Sequence, residues 1–216
     1  MKLFLFFVLL DISILHATET LVYKKISGTK DLMTTYVCTP QKEEIVIEAS
    51  NKDQTTKAVT TLSHQLKSFS CHYNHSKDYS LFTLDNGTLT AEGIIKGELR
   101  KEVHVIKDTL WIQEFEFGLL PFLQSSKNAW FFDILHPKNF KLHKMVARKQ
   151  EITSLKLGDK SYEAKLVHVT LQGFKSMFWK AELWFDNTTH KLLLYKANEG
   201  PHTPNVTISL ISSSAN

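Results

Sequence analysis

Apolar and polar residues alternate with a period of two through most of this chain. Ile45, Ile47 and Ala49 alternate with Glu44, Val46 and Glu48. Trp111, Gln113, Phe115 and Phe117 alternate with Ile112, Glu114 and Glu116, and Met177, Trp179, Ala181, Leu183 and Phe185 share one parity opposite Lys180 and Glu182. Val206, Ile208 and Leu210 do the same against Thr207 and Ser209. Side chains of a strand point alternately to its two faces, so each segment reads as a strand with one apolar and one wetter face, the signature of antiparallel sheet. Turn residues fall between the segments. Asp85-Asn86-Gly87 separates Tyr79–Leu84 from Thr88–Ile95, Gly97 separates Leu89–Lys96 from Leu99–Ile106, Lys107-Asp108 lead into Thr109–Phe117, and Gly158-Asp159 separates Ile152–Leu157 from Tyr162–Leu171. Within Tyr162–Leu171 the apolar parity changes between Leu166 and Val167, which predicts a bulge and a bend of the sheet. Ten to twelve strands are expected, mostly paired with their sequence neighbours.

The alternation breaks once, in GLLPFLQSSKNAWFFDILHP, Gly118–Pro137. Leu119, Leu120, Phe122 and Leu123 have helical spacing, with Pro121 suited to a first turn. Trp130, Phe131, Ile134 and Leu135 repeat the spacing before Pro137. Two short helices are therefore expected, laid as a lid across the hollow of a curved sheet. The predicted fold is all-β or β-rich α+β: a strongly curved antiparallel sheet, either an open half-barrel or a closed barrel, with one or two short helices at its mouth.

Composition adds a compartment. Residues 1–17 combine Met1-Lys2 with an apolar run interrupted by Asp11 and end in a small residue at Ala17, the layout of a secretory signal peptide. Residues 18–216 are read as one exported, soluble domain, periplasmic in a bacterium and otherwise secreted. No cysteine follows the apolar run, so a lipid-attached version of the signal is not expected. The formal charge of +4 is too mild to indicate nucleic-acid binding. Cys38 and Cys71 are the only cysteines, and in an oxidising compartment they are expected to form one disulfide; buried thiols are the alternative. A zinc site from these two with His72 and His75 has no standard spacing, and no metal or other cofactor is expected. Asn74, Asn86, Asn187 and Asn205 sit in N-x-Ser/Thr triplets, which matter only in a eukaryotic secretory route.

The chain lacks a nucleophile elbow, an HExxH helix, a phosphate-binding glycine loop and a CxxC pair, and its histidines are scattered. An enzyme is thus the least favoured class. Aromatic residues dominate what remains, with 14 Phe, 4 Trp and 6 Tyr. If the curved sheet is hollow, strand parity and the helical spacing select Trp111, Phe115, Phe117, Leu120, Leu123, Trp130, Phe131, Trp179 and Leu183 as the lining of an apolar cavity for a lipid or similar ligand. The basic run Lys138–Lys149 contains no acid, and Lys141, Lys144, Arg148 and Lys149 are candidate contacts for anionic headgroups in a transient membrane or partner encounter; a solvated strand face is the alternative.

The order of elements carries a resemblance. PFLQSS…WFFDILHP stands mid-chain, followed by GDKSYEAKLVHVTL and then AELWFDNTTHKLLLYKANEGPHTPNVTISL, in which Leu183, Trp184, Asp186, Leu193, Tyr195 and Gly200 mark a late hairpin. This resembles a family of uncharacterised bacterial periplasmic proteins that are distantly similar to the outer-membrane lipoprotein carriers. The resemblance implies an open half-barrel with a helical lid and a habit of shielding acyl chains; it carries no functional residue to a position here. Together these readings favour an exported, non-enzymatic binding or carrier protein for an apolar ligand. A closed-barrel lipocalin-type binder is the runner-up, although TLVYKKISGTKDL lacks the early tryptophan such chains usually have. A filled-core interaction module is the third class.

Overall fold

The computed structural model describes residues 17–106, 109–173, 179–198 and 205–215. Residues 1–16 of the expected signal peptide, the Lys107-Asp108 turn, Met177 and Gly200 lie outside them. The first wing of the sheet consists of β1 (Glu19–Ser27), β2 (Lys30–Pro40), β3 (Glu44–Ser50), β4 (Gln54–Thr61), β5 (Leu66–Tyr73), β6 (Tyr79–Asp85), β7 (Thr88–Ile95) and β8 (Glu98–Val105). The second comprises β9 (Leu110–Trp111), the helical turns α1 (Phe115–Gly118) and α2 (Leu120–Gln124), β10 (Ala129–Leu135), β11 (Leu142–Leu157), β12 (Lys160–Leu171), β13 (Lys180–Asp186), β14 (Leu192–Asn198) and β15 (Asn205–Ala215). All fifteen strands form one sheet in the order β8-β7-β6-β5-β4-β3-β2-β1-β15-β14-β13-β12-β11-β10-β9. Among the described residues the edges β8 and β9 are not paired with each other, so the sheet is an open half-barrel rather than a closed barrel.

Local chemistry explains the meander. Asn86 and Gly87 both take positive φ, 46° and 75°, as a tight two-residue hairpin requires, and Lys96-Gly97 repeats the device at 56° and 79°. Gly93 has a different reason to be glycine: a Cβ there would run into the Tyr79 carbonyl on β6. The parity change expected in β12 has its cause in the neighbouring strand. Lys149 pairs with Val167 but Ile152 with Lys165, so β11 carries the extra residue while β12 keeps an unbroken register with β13.

Curvature brings distant strands together. Phe82 on β6 lies 6.2 Å from Trp111 on β9 and 5.6 Å from Phe140, ring centre to centre. On the concave face of the first wing, register builds two parallel rows. One is Cys38–Ile47–Ala58–Phe69–Phe82–Ala91, apolar and buried throughout. The other, two residues along, is Leu21–Tyr36–Ala49–Thr56–Cys71–Ser80. The rows also dispose of the expected disulfide. Cys38 is on β2 in the first row and Cys71 on β5 in the second, three strands over. Strand spacing puts them roughly 15 Å apart, beyond the reach of a disulfide. Both thiols are buried and unpaired. Burial, then Glu19 and Glu116, pushes the Cys38 thiol up to about 12, so it is inert as a nucleophile.

Two further expectations are corrected. The predicted strand through Phe117 stops at Trp111, and the chain turns into α1, which places Phe115 and Phe117 on a helical turn. The segment from Trp130 to Leu135, expected as a helix, is the strand β10. Its apolar residues occupy both faces: Phe132 pairs with buried Met145, while Leu135, equally buried, lies on the opposite face. A strand covered on both sides loses alternation, and a short apolar run then has no readable period. The helix through Leu119–Leu123 does form, with Pro121 in its first turn and Leu119, Phe122 and Leu123 buried.

Candidate functional site, a cleft beside the helical turn

The helical turns plug the hollow of the sheet. Gly118 N–H donates to the Glu114 carbonyl at 2.8 Å, and Gln113 Nε2 donates to the Leu135 carbonyl at 2.8 Å, tying α1 to β10. Gly118 packs so closely on the Ile112 side chain that a Cβ would overlap it. Phe117 meets Tyr36 at 5.7 Å, and Phe115 meets both Phe132 at 6.2 Å and Tyr195 at 6.3 Å. To one side of this plug the interior is filled. To the other it is open.

The open side holds two adjoining hollows. One is a cleft of ≈ 420 Å³ whose walls include Tyr23, Lys25, Tyr36, Thr56, Tyr73, Glu114, Phe115, Glu116, Lys138 and Tyr195. The other, of ≈ 270 Å³, is mainly apolar, with Leu21, Ile45, Ile47, Phe117 and Leu120. Tyr23, Glu116 and Leu192 line both. The alternatives of a hollow and a filled sheet are thus both realised, on opposite sides of one helical turn.

The sequence-selected residues distribute accordingly. Phe115, Phe117 and Leu120 border the hollows. Trp111, Leu123 and Leu183 are buried in the packed core. Trp130 is half-buried against Phe122 at 5.6 Å, and Trp179 is half-buried at the margin of the core. Phe131 is 54% exposed and has the opposite parity to Trp130 and Phe132 on β10, away from them. The basic residues also separate. Lys141 is exposed just before β11, and Lys144 and Arg148 are exposed on one face of β11, with Lys144 Nζ 3.8 Å from buried Asp133. Lys149 has the other parity: its Nζ donates to the Ser125 carbonyl and lies 4.8 Å from the centre of the Phe122 ring. Burial foremost, with Lys165, lowers its pKa.

The polar heart of the cleft is Glu114 and Glu116, which the alternation had assigned to a wetter strand face. Because the chain leaves the sheet after Trp111, parity no longer maps to inside and outside, and α1 turns both carboxyls into the concavity. Burial and then Glu116 hold the Glu114 carboxyl well above the usual carboxylate range, against opposing hydrogen bonds from Thr56 and Tyr36. Burial likewise raises Glu116, against a hydrogen bond from Tyr36. Tyr36 and Thr56 reach this point because small Ala49 stands between them in the cross-strand row. Tyr23, 2% exposed, packs edge-on against Tyr36 at 5.6 Å, and its hydroxyl has no hydrogen-bond partner. Burial, then Glu116, Cys38 and Glu19, raises that phenol far above its ordinary pKa. Among the described residues no group of three or more His, Cys, Asp or Glu is placed to hold a metal ion, and no helix is long and apolar enough to cross a membrane.

This combination defines a class: an open, lidded β half-barrel with a ligand-sized hollow. No family model and no curated protein matches the chain. Solved structures do. A β-barrel-like protein of the domain of unknown function DUF1849 from Brucella abortus overlays with a TM-score of 0.65 at 8% identity, covering 93% of this chain and 98% of that one. The hypothetical lipoprotein YmcC from Escherichia coli gives a TM-score of 0.45 at 12% identity, with 92% and 88% covered. A putative outer membrane lipoprotein-sorting protein domain from Vibrio parahaemolyticus gives 0.32 at 7% identity, with 93% and 86% covered. The first match establishes a shared fold, in keeping with the half-barrel resemblance; the other two overlap too loosely for residue-level comparison.

Proposed function

We propose that this is an exported, non-enzymatic binding or carrier protein for an amphiphilic ligand, held between the concave sheet and the helical turn α1. The observation that carries this reading is the pair of hollows. An apolar pocket opens beside a polar cleft, and three residues line both. A ligand with an apolar tail and a polar head fits that division better than a wholly polar substrate. The hollows are small for a diacyl lipid, so a single chain is the expected guest. Residues 1–17 provide the export signal, and Lys141, Lys144 and Arg148 offer an exposed basic surface for headgroups of an anionic membrane. Lys149, engaged with Ser125 and Phe122, contributes to holding α2 instead.

The test is native mass spectrometry of gently purified protein, followed by organic extraction and displacement of a fluorescent fatty acid. A bound small amphiphile is expected, and Ile47→Trp, which fills the apolar pocket, is expected to abolish binding without unfolding the protein. Failure to retain or bind any single-chain amphiphile would overturn the proposal. For the basic surface, Lys141, Lys144 and Arg148 changed to Gln should lower binding to anionic vesicles; unchanged binding removes that part.

A further inference from the structure

Resting on the cleft reading above, we infer that Glu114, Glu116 and Tyr23 form the recognition point for a primary ammonium head group on the ligand. The geometry supplies three acceptor groups at one place. Both carboxyls line the cleft, as do the Tyr23 and Tyr73 side chains, whose buried hydroxyls lack a hydrogen-bond partner; Tyr23 is the one close to Glu116, whereas Tyr73 faces Cys71 and carries Lys138 over its ring. A primary ammonium carries three N–H donors and no acceptor, so it matches three acceptors one for one. Thr56 donates to Glu114, and the single Tyr36 O–H is shared by the two carboxyls, which holds them in place without neutralising them.

Charge supports the same ligand. An empty, desolvated pair of carboxyls resists carrying two negative charges. Two lysines line the cleft, but neither Lys25 nor Lys138 is among the groups acting on Glu114 or Glu116, and Lys138 lies over the Tyr73 ring at 5.2 Å. The other titratable groups on the walls of the two hollows are Asp53, Tyr73, Glu19, Cys38, His64, His190 and Lys191, with Cys71 close to Glu114. Lys191 is held by Glu19 at 2.6 Å, and among the described residues no basic group is one of those acting on Glu114 or Glu116. The walls also include Tyr36, Phe115 and Tyr195, whose ring faces favour an organic cation.

The sign of the pH dependence follows. The carboxyls hold protons above their ordinary range when the site is empty, and an ammonium favours their ionised form. Binding therefore releases protons, and affinity rises with pH.

The test uses calorimetric titration of the signal-free chain with dodecylammonium, dodecyltrimethylammonium and dodecanoate below their micelle concentrations, and with methylammonium alone. Titrations at pH 6 and pH 8, in two buffers of different ionisation enthalpy, count the protons. Dodecylammonium is expected to bind about tenfold or more tighter than the other two dodecyl probes, with proton release and a gain from pH 6 to 8. The Glu114→Gln, Glu116→Gln double variant should lose the preference and the proton release yet keep dodecanoate binding, which certifies its fold. Tyr23→Phe should narrow the gap between ammonium and trimethylammonium several-fold. Dodecanoate binding as tightly as dodecylammonium, or a preference that survives the Gln pair, overturns the inference while leaving the amphiphile reading intact. Methylammonium binding with proton release and no gain from the chain does the reverse. Binding of none of the four overturns both.

Discussion

The two sides of α1 use the same sheet differently. On one side the row through Phe69 and Phe82 meets Trp111 and Phe140, and every ring is buried in ring-to-ring contact. On the other the row through Tyr36, Ala49 and Thr56 faces two carboxyls, an unpartnered phenol and open space. Strand spacing and curvature belong to one continuous sheet in both places. What differs is the size and polarity of residues two positions apart along each strand, together with the side chains α1 turns toward each row. A half-barrel is therefore neither hollow nor solid by topology; one short helical turn divides it into a part that supports and a part that is free to bind.

The contrast can be broken most severely on the filled side. Phe82→Ala removes a ring in contact with three others and is expected to cost about 3–5 kcal/mol by chemical denaturation. A cost below about 1 kcal/mol would show that this side is not the core. Gly118→Ala acts on the divider itself. Its methyl must displace Ile112, with an expected cost of about 1–3 kcal/mol and weakened amphiphile binding. A stable variant with unaltered binding would mean α1 does not set the shape of the cleft.

On the open side the expected sign reverses. The Glu114 carboxyl ionises at higher pH in the folded chain than in the unfolded one. The unfolded chain thus sheds its proton first, and stability falls as pH rises from about 4 towards the raised folded value. Glu114→Gln removes this penalty, so Tm should rise at pH 7 by about 2–4 °C, the equivalent of ~1 kcal/mol, and the gain should vanish below about pH 4. Equal melting profiles at both pH values would show the carboxyl to be solvated like any surface acid. The smallest effect belongs to the convex face. Lys196 Nζ lies 5.4 Å from the centre of the Trp184 ring, and Lys196→Ala should cost no more than about 1 kcal/mol.

Legibility in the sequence follows the same division. Where a strand has one dry and one wet face, alternation locates it: Ala181, Leu183 and Phe185 are buried as their parity requires, and Trp184 is on the far face with Lys196. The turn at Asp186 is equally local, since its Oδ1 accepts from the Thr188 and Thr189 N–H groups at 3.0 and 2.7 Å. Alternation fails at β10, whose second half, Phe132–Leu135, is covered on both faces, and at Glu114 and Glu116, which retain a strand-like pattern after the chain has left the sheet. No period in the sequence marks that departure. Gly118 carries the sharpest hint available, a glycine three residues before a proline at a change of period. The disulfide expectation failed for a related reason: compartment suggests that two cysteines pair, but only register shows that Cys38 and Cys71 stand three strands apart.

Topology adds a consequence for how the chain assembles. Among the described residues, every lateral strand contact joins consecutive strands except β1 with β15. Two local meanders can each zip up strand by strand, by hairpins throughout except for the parallel β9–β10 pair, but their union must wait for one seam whose partners are almost the whole chain apart, Glu19 with Ala215 and Ser27 with Val206. Contacts of such long sequence separation form late and limit folding speed. The seam's register slips between Val22 and Tyr23, so the residue with the orphan hydroxyl sits at its irregular point. A guest that grips Tyr23 on β1 together with Leu192 on β14 would span that seam. Occupancy would then slow unfolding more than it speeds folding, making the loaded protein the kinetically durable form.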